Sequence, residues 1–226
     1  MHKILSLRTL LHCATLLGTL TYLPATANNL DPLSPAEITR ATQRANPVAP
    51  STLSTTRSTT TSNAATPPPE LLLVERHPNA KGQTARLADV YTYDYSTNET
   101  LIDVVDLDTN QVISSRRERN LQLPLTANEL QRASALIFAD DEQRALLDAE
   151  FKRITGQTLT NPTQQLQVKA FVFHASSLPE QLNAASQQCG LQRCAQVLLY
   201  TADSVVFEVS PIVNLSAGVI TQNIGF

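Results

Sequence analysis

The 226-residue sequence has no tryptophan, six glycines, three cysteines and one methionine, Met1. So few glycines leave little room for a phosphate-cradling loop, and neither G-x-x-x-x-G-K-[ST] nor G-x-G-x-x-G occurs. Gly-x-Ser-x-Gly and His-Glu-x-x-His are also missing, which removes the usual signatures of serine hydrolases and zinc peptidases. Basic charge is in deficit, with 17 Lys and Arg against 20 Asp and Glu. Nucleic-acid binding needs a clustered basic surface, and the one basic run, Arg116-Arg-Glu-Arg119, reads instead as solvated. Past the first 27 residues there is no long apolar run, so no membrane span is expected there.

What those first residues do contain is a secretory layout. Lys3 and Arg8 form a positive start, Thr9 to Leu23 a mostly apolar stretch, and Ala25-Thr-Ala27 a small-x-small cleavage site. The apolar stretch is shorter than the roughly 20 residues a bilayer needs, and His12, Cys13 and several threonines interrupt it. Residues 1–27 are therefore expected to be a signal peptide, cleaved after Ala27, giving a secreted or periplasmic protein. Removing Lys3 and Arg8 with the leader leaves fifteen basic residues against twenty acidic ones, a net charge of −5.

Residues 28–46 form an arm containing an amphipathic helix, expected over 33–45. Composition then changes: residues 47–70 are dominated by Thr, Ser, Pro and Ala and end in Thr66-Pro-Pro-Pro-Glu70. Such a stretch buries too little apolar surface to offset its ordering entropy, so it is expected to be a flexible linker. Strand-like segments follow at 71–76, 87–94, 99–107 and 111–117, joined by Ser96-Thr-Asn98 and Asp108-Thr-Asn110, which have hairpin-turn chemistry. Thr126 and Glu129 read as a capping box opening a helix, and Asp140-Asp-Glu142 divides the helical pattern before its stop at Gly156. Further strands are expected at 166–174, 194–201, 204–213 and 217–222, with a short helical piece over 179–187. Ala202-Asp203 and Ser216-Ala-Gly218 serve as turns. Pro211 lacks a ladder donor, so its strand must be an edge there or bulge.

Two segments of this pattern repeat. Pro32-Leu-Ser-Pro-Ala-Glu-Ile-Thr-Arg-Ala41 returns as Pro124-Leu-Thr-Ala-Asn-Glu-Leu-Gln-Arg-Ala133. Arg86-Leu-Ala-Asp-Val90 aligns with Arg193-Cys-Ala-Gln-Val197, and Val105-Asp-Leu107 with Val213-Asn-Leu215. A repeated sequence most simply reports a repeated supersecondary unit. The fold class expected is α+β: a helix on an antiparallel meander made twice, with residues 71–123 as the first unit, which the helix at 33–45 joins, and 124–226 as the second.

Asp31-Pro-Leu-Ser-Pro-Ala-Glu-Ile38, Arg86-Leu-Ala-Asp-Val90, Thr97-Asn-Glu-Thr-Leu-Ile-Asp-Val-Val-Asp-Leu107 and Gln111-Val-Ile-Ser114 resemble the small N-terminal domains of copper amine oxidases. Leu125 to Gly156 is similar to the start of the next such domain, so the resemblance covers about residues 31–156 and fades afterwards. It implies two cystatin-like units, each a helix against a curved antiparallel sheet, without catalytic residues. The oxidases hold copper on three histidines, two in a His-x-His pair, and convert the tyrosine of an Asn-Tyr-Asp/Glu segment into a quinone. Past the leader this chain has only His77 and His174 and neither motif, and Tyr93-Asp94 falls inside an expected strand. No amine oxidase activity, catalytic residue, metal or cofactor is therefore expected.

Cys189 and Cys194 bracket a glycine and, in an exported chain, read as a disulfide. A zinc or copper site is the alternative, although two thiols without a nearby histidine supply half a coordination shell. His77 and His174 end corresponding strands, which invites a paired-ligand reading; nothing in the sequence brings them together. Asp106/Asp108 and Asp140/Asp141 read as turn and helix-cap residues rather than acid–base pairs. The functional expectation is an exported, non-catalytic protein-binding or assembly module with protein partners. Alternatives are a small-molecule carrier with a pocket between helix and sheet, and a cystatin-like protease inhibitor, although the inhibitors' Gln-x-Val-x-Gly loop is absent.

Overall fold

The computed structural model describes residues 30–45, 66–78, 82, 84–178 and 180–225. The signal-peptide reading and nearly all of the linker fall outside them. Pro32–Phe226 group as one unit.

Two four-stranded antiparallel sheets carry the fold. In the first, β1 (Glu70–Arg76), β2 (Leu87–Asp94), β3 (Glu99–Asp106) and β4 (Gln111–Glu118) are neighbours in chain order. In the second, β5 (Leu166–Phe173), β6 (Cys194–Thr201), β7 (Ser210–Asn214) and β8 (Val219–Ile224) repeat that order. Helix α1 (Pro35–Ala45) packs on the first sheet; α2 (Ala127–Ala139) packs on the second and against α3 (Asp141–Thr155). A single helical turn, α4 (Pro162–Gln165), leads into β5 and was not among the expected elements.

The repeat is visible atom by atom. Both helices open on a capping box: the Glu37 amide donates to the Ser34 hydroxyl and the Ser34 amide to the Glu37 carboxylate, as Glu129 and Thr126 do in α2. Each helix buries residues at matching i, i+4 and i+8 positions: Glu37, Ala41 and Ala45 in α1, and Glu129, Ala133 and Ile137 in α2. These alanines let the helices approach sheets whose corresponding residues, Ala88 paired with Val105 and Ala195 paired with Val213, are fully buried. Leu107 donates its amide to the Arg86 carbonyl and Leu215 to the Arg193 carbonyl, both at 2.9 Å. The following turns close on positive φ at Asn110 (56°) and Gly218 (67°).

Several expected boundaries move. Glu70, read as linker, is buried in β1. Asp140 caps α3 through the Gln143 amide, so the helical stretch does divide in two. The helical piece at 179–187 does not form. A short 3₁₀ turn at Ser186–Gln188 stands at its end, where Asn183 captures the Ser186 amide, and another at Ala175–Ser177 precedes it. The continuous strand 204–213 is also interrupted. After the turn at Ala202-Asp203, Phe207 still donates to Leu199, but the amides of Glu208 and Val209 leave the ladder for the Glu150 carboxylate. The chain re-enters only as Ser210–Asn214. Pro211 stands where pairing with β6 has stopped, since that register ends at Gln196↔Ile212. The last strand starts at Val219 rather than 217, because Ala217 and Gly218 close the turn onto Asn214.

Candidate functional site

The chemically densest part of the structure is a buried cluster of carboxylates, guanidinium groups and tyrosines between the two sheets' elements. Its centre is Glu129, at 0% exposure, on the first turn of α2. Arg193, just before β6, grips it with two N–H groups, Nη2 to Oε2 at 2.8 Å and Nε to Oε1. Arg193 completes its fork on the carbonyls of Leu123 (3.1 Å) and Pro124 (2.8 Å). In the first half Arg86 meets Glu37 the same way, Nε to Oε1 at 2.9 Å and Nη2 to Oε2 at 3.1 Å, and donates to the Pro32 carbonyl at 2.9 Å. The repeated Pro, Glu and Arg thus form one device used twice: a capping glutamate ties its helix, through an arginine, to the start of a strand.

The second device is extended by residues of the first sheet. Tyr95, just past β2, donates its hydroxyl to Glu129 at 2.8 Å and lies 3.3 Å from Glu70. Arg132, one turn along α2, donates to Glu70 at 2.6 Å and sits over the Tyr95 ring, 5.0 Å from its centroid. The Thr126 hydroxyl also donates to Glu70. Tyr93 and Tyr95 meet edge to face at 4.9 Å, and Arg193 lies 5.8 Å from the Tyr93 centroid. First-sheet residues are in this way bonded into the second device.

The electrostatics favour fixed charge. Arg86 hydrogen-bonds the Glu37 carboxyl and, against a smaller opposing effect of burial, lowers its pKa to about 2. Burial pushes the Glu129 carboxyl up, but Arg193, the Thr126 amide and Tyr95 outweigh it and hold the group below its ordinary range. Burial and the neighbouring carboxylates raise the Tyr95 hydroxyl. Both glutamates are thus ionised acceptors at neutral pH and poor proton donors.

The residues singled out from sequence fall elsewhere. Cys189 and Cys194 lie at disulfide distance, Cα to Cα 5.4 Å, and clasp the loop before β6. That loop covers Phe173 and Ile212 on the face of the second sheet opposite α2, with Leu182 and the cysteines completing an apolar cluster. His174 Nδ1 accepts from the Ser176 amide, and its ring packs so closely on Gly190 that a Cβ there would stand 2.4 Å from Nε2. His77 Nδ1 lies 2.7 Å from the Asp89 carboxylate in the first half. The two histidines are therefore engaged separately. Among the described residues no three His, Cys, Asp or Glu gather in a metal-binding arrangement. Asp106 accepts from the amides of Asp108 and Thr109, as a turn residue. Sequence reasoning missed the network itself; its one signal was that the repeated motif kept a glutamate and a distant arginine.

A mainly apolar cavity of about 320 Å³ lies beside the network, lined by Pro67, Arg132, Ala135, Leu136, Leu215 and others.

No protein-family model matches the chain, and no curated protein does. Among solved structures it is similar to a copper-containing benzylamine oxidase from Hansenula polymorpha, at 13% identity and a TM-score of 0.51. The match covers 88% of this chain, more than the residues 31–156 that carry the sequence motifs, and 30% of the oxidase chain. At this identity the likeness is one of fold.

Proposed function

We propose that the chain is an exported, non-catalytic protein-binding or assembly module built from two cystatin-like units. The observation that carries the reading is the use made of its buried charges. Glu37, Glu129, Arg86 and Arg193 all tie helices to strands, and both glutamates have pKa values moved away from neutrality rather than towards it. The likeness to under a third of a copper amine oxidase chain supports the same reading. Export agrees with a leader-like N-terminus, a cysteine pair at bonding distance and the lack of a membrane-spanning helix among the described residues. Gln111-Val-Ile113 lies in β4 rather than in a protruding loop, which argues against cystatin-type inhibition.

The test is to incubate the purified protein with copper, remove the excess and assay it with benzylamine. Less than stoichiometric copper, no quinone absorbance and no hydrogen peroxide are expected; a quinone band with peroxide release would overturn the reading. Retention of a defined protein from the exported fraction of its own cell is the positive counterpart.

The cavity beside Arg132 favours a second reading, a carrier of a small, mostly apolar molecule. Its volume is within the range of small-ligand pockets, and it lies between a helix and a sheet turn. A co-purifying mass in native mass spectrometry, lost on Ala135→Trp, would establish it.

A further inference from the structure

The two sheets end in four edge strands, and three are visibly blunted. β1 carries a bulge between Leu71 and Leu73 and follows three prolines. β4 has a register shift opposite Val104/Val105 and presents Arg116 and Arg117, with Arg119 just beyond. β8 has a shift opposite Ile212/Val213, and Asn183 bonds the Thr221 carbonyl and the Gln222 side chain. Bulges, charges and covering loops are the usual defences against strand addition.

Among the described residues β5 has neither bulge nor covering strand, and a single lysine is its one charged defence. Leu166–Phe173 pairs with β6 through eight consecutive residues without a shift, and its only charge is Lys169. Gln167, Lys169 and Phe171 are exposed along one face, Phe171 at 55%. Among the described residues no strand pairs with its outer side.

We propose that β5 is a self-association edge, on which β5 of a second copy of this chain docks antiparallel about a two-fold axis through Ala170. A two-fold perpendicular to the sheet keeps the faces matched only if some residue meets its own copy. Centring on Lys169 would oppose two ammonium groups. Centring on Ala170 sets Lys169 opposite Phe171 of the second copy, twice, and Val168 opposite Val172. The Lys169 ammonium already lies 5.7 Å from the Tyr200 ring centroid, so Phe171 of the second copy gives it a second aromatic neighbour. This register covers the exposed Phe171 and satisfies the outward backbone groups by strand addition. Self-association of this kind goes beyond the proposed function and holds whether or not the chain has a catalytic activity.

Sedimentation velocity on the chain from about 1 to 500 µM tests it. A reversible monomer–dimer equilibrium is expected. Phe171→Lys, which sets lysine opposite lysine, should weaken it about tenfold or more. Phe171→Glu, which faces Lys169, should keep it, and so should the swap Lys169→Glu with Phe171→Lys. Circular dichroism would confirm that each variant folds. A monomer across the whole range, or equal losses for Phe171→Lys and Phe171→Glu, would overturn the proposal.

Discussion

Replacing Arg193 by methionine leaves the Glu129 carboxylate at 0% exposure without its main counter-charge. Breaking one side of such a pair costs about 3–5 kcal/mol, so urea denaturation of Arg193→Met should show a loss of that size. Glu129→Gln added to it should recover part of the loss. Acid should act on the other pair. Glu37 titrates at about 2 in the fold against 4.5 ordinarily, so the folded state binds fewer protons in between. Its stabilisation is complete above pH 4.5 and is lost as pH falls towards 2. Arg86→Met, which removes the main cause of the shift, should flatten the dependence of the denaturation midpoint on pH across that window. At this scale the sequence was half legible. Capping boxes are local, and Ser34/Glu37 and Thr126/Glu129 could be read from spacing alone. The arginine partners stand 49 and 64 residues away, a separation at which only the repeat itself gave a hint.

The loop clasped by Cys189 and Cys194 covers one face of the second sheet. Reducing or replacing the pair should cost about 2 kcal/mol, by the chain entropy of so short a loop. It should also raise amide exchange selectively between 175 and 193. Thermal melts with and without reductant, with exchange mass spectrometry, check both; uniform exchange across the chain would contradict the clasp. Gly190→Ala should destabilise the same loop by about 2 kcal/mol, since its φ is 116° and a Cβ would meet the His174 ring. His174→Ala should relieve only the steric part. Elements with strong periodicity or caps, such as α2, α3 and β2 to β4, were legible in sequence. The break in strand 204–213 was not, because Ser204 to Val213 has a strand-like composition and the competing acceptor is Glu150 on a distant helix.

The whole molecule depends on how first-sheet residues join the second device. Tyr95→Phe removes one hydroxyl shared by Glu129 and Arg132 while keeping the ring, and should cost about 1–2 kcal/mol, read as a lower denaturation midpoint. That junction could not be foreseen from the repeat, because Tyr95 has no equivalent in the second half, where Ala202 stands at the matching distance from Arg193. One glutamate–arginine device, built twice, holds both helix-on-sheet halves. The most direct test is a pair of double-mutant cycles in urea, Glu37→Gln with Arg86→Met and Glu129→Gln with Arg193→Met. Coupling of about 1–3 kcal/mol within each pair is predicted; additive single-mutant effects at either pair would contradict the claim.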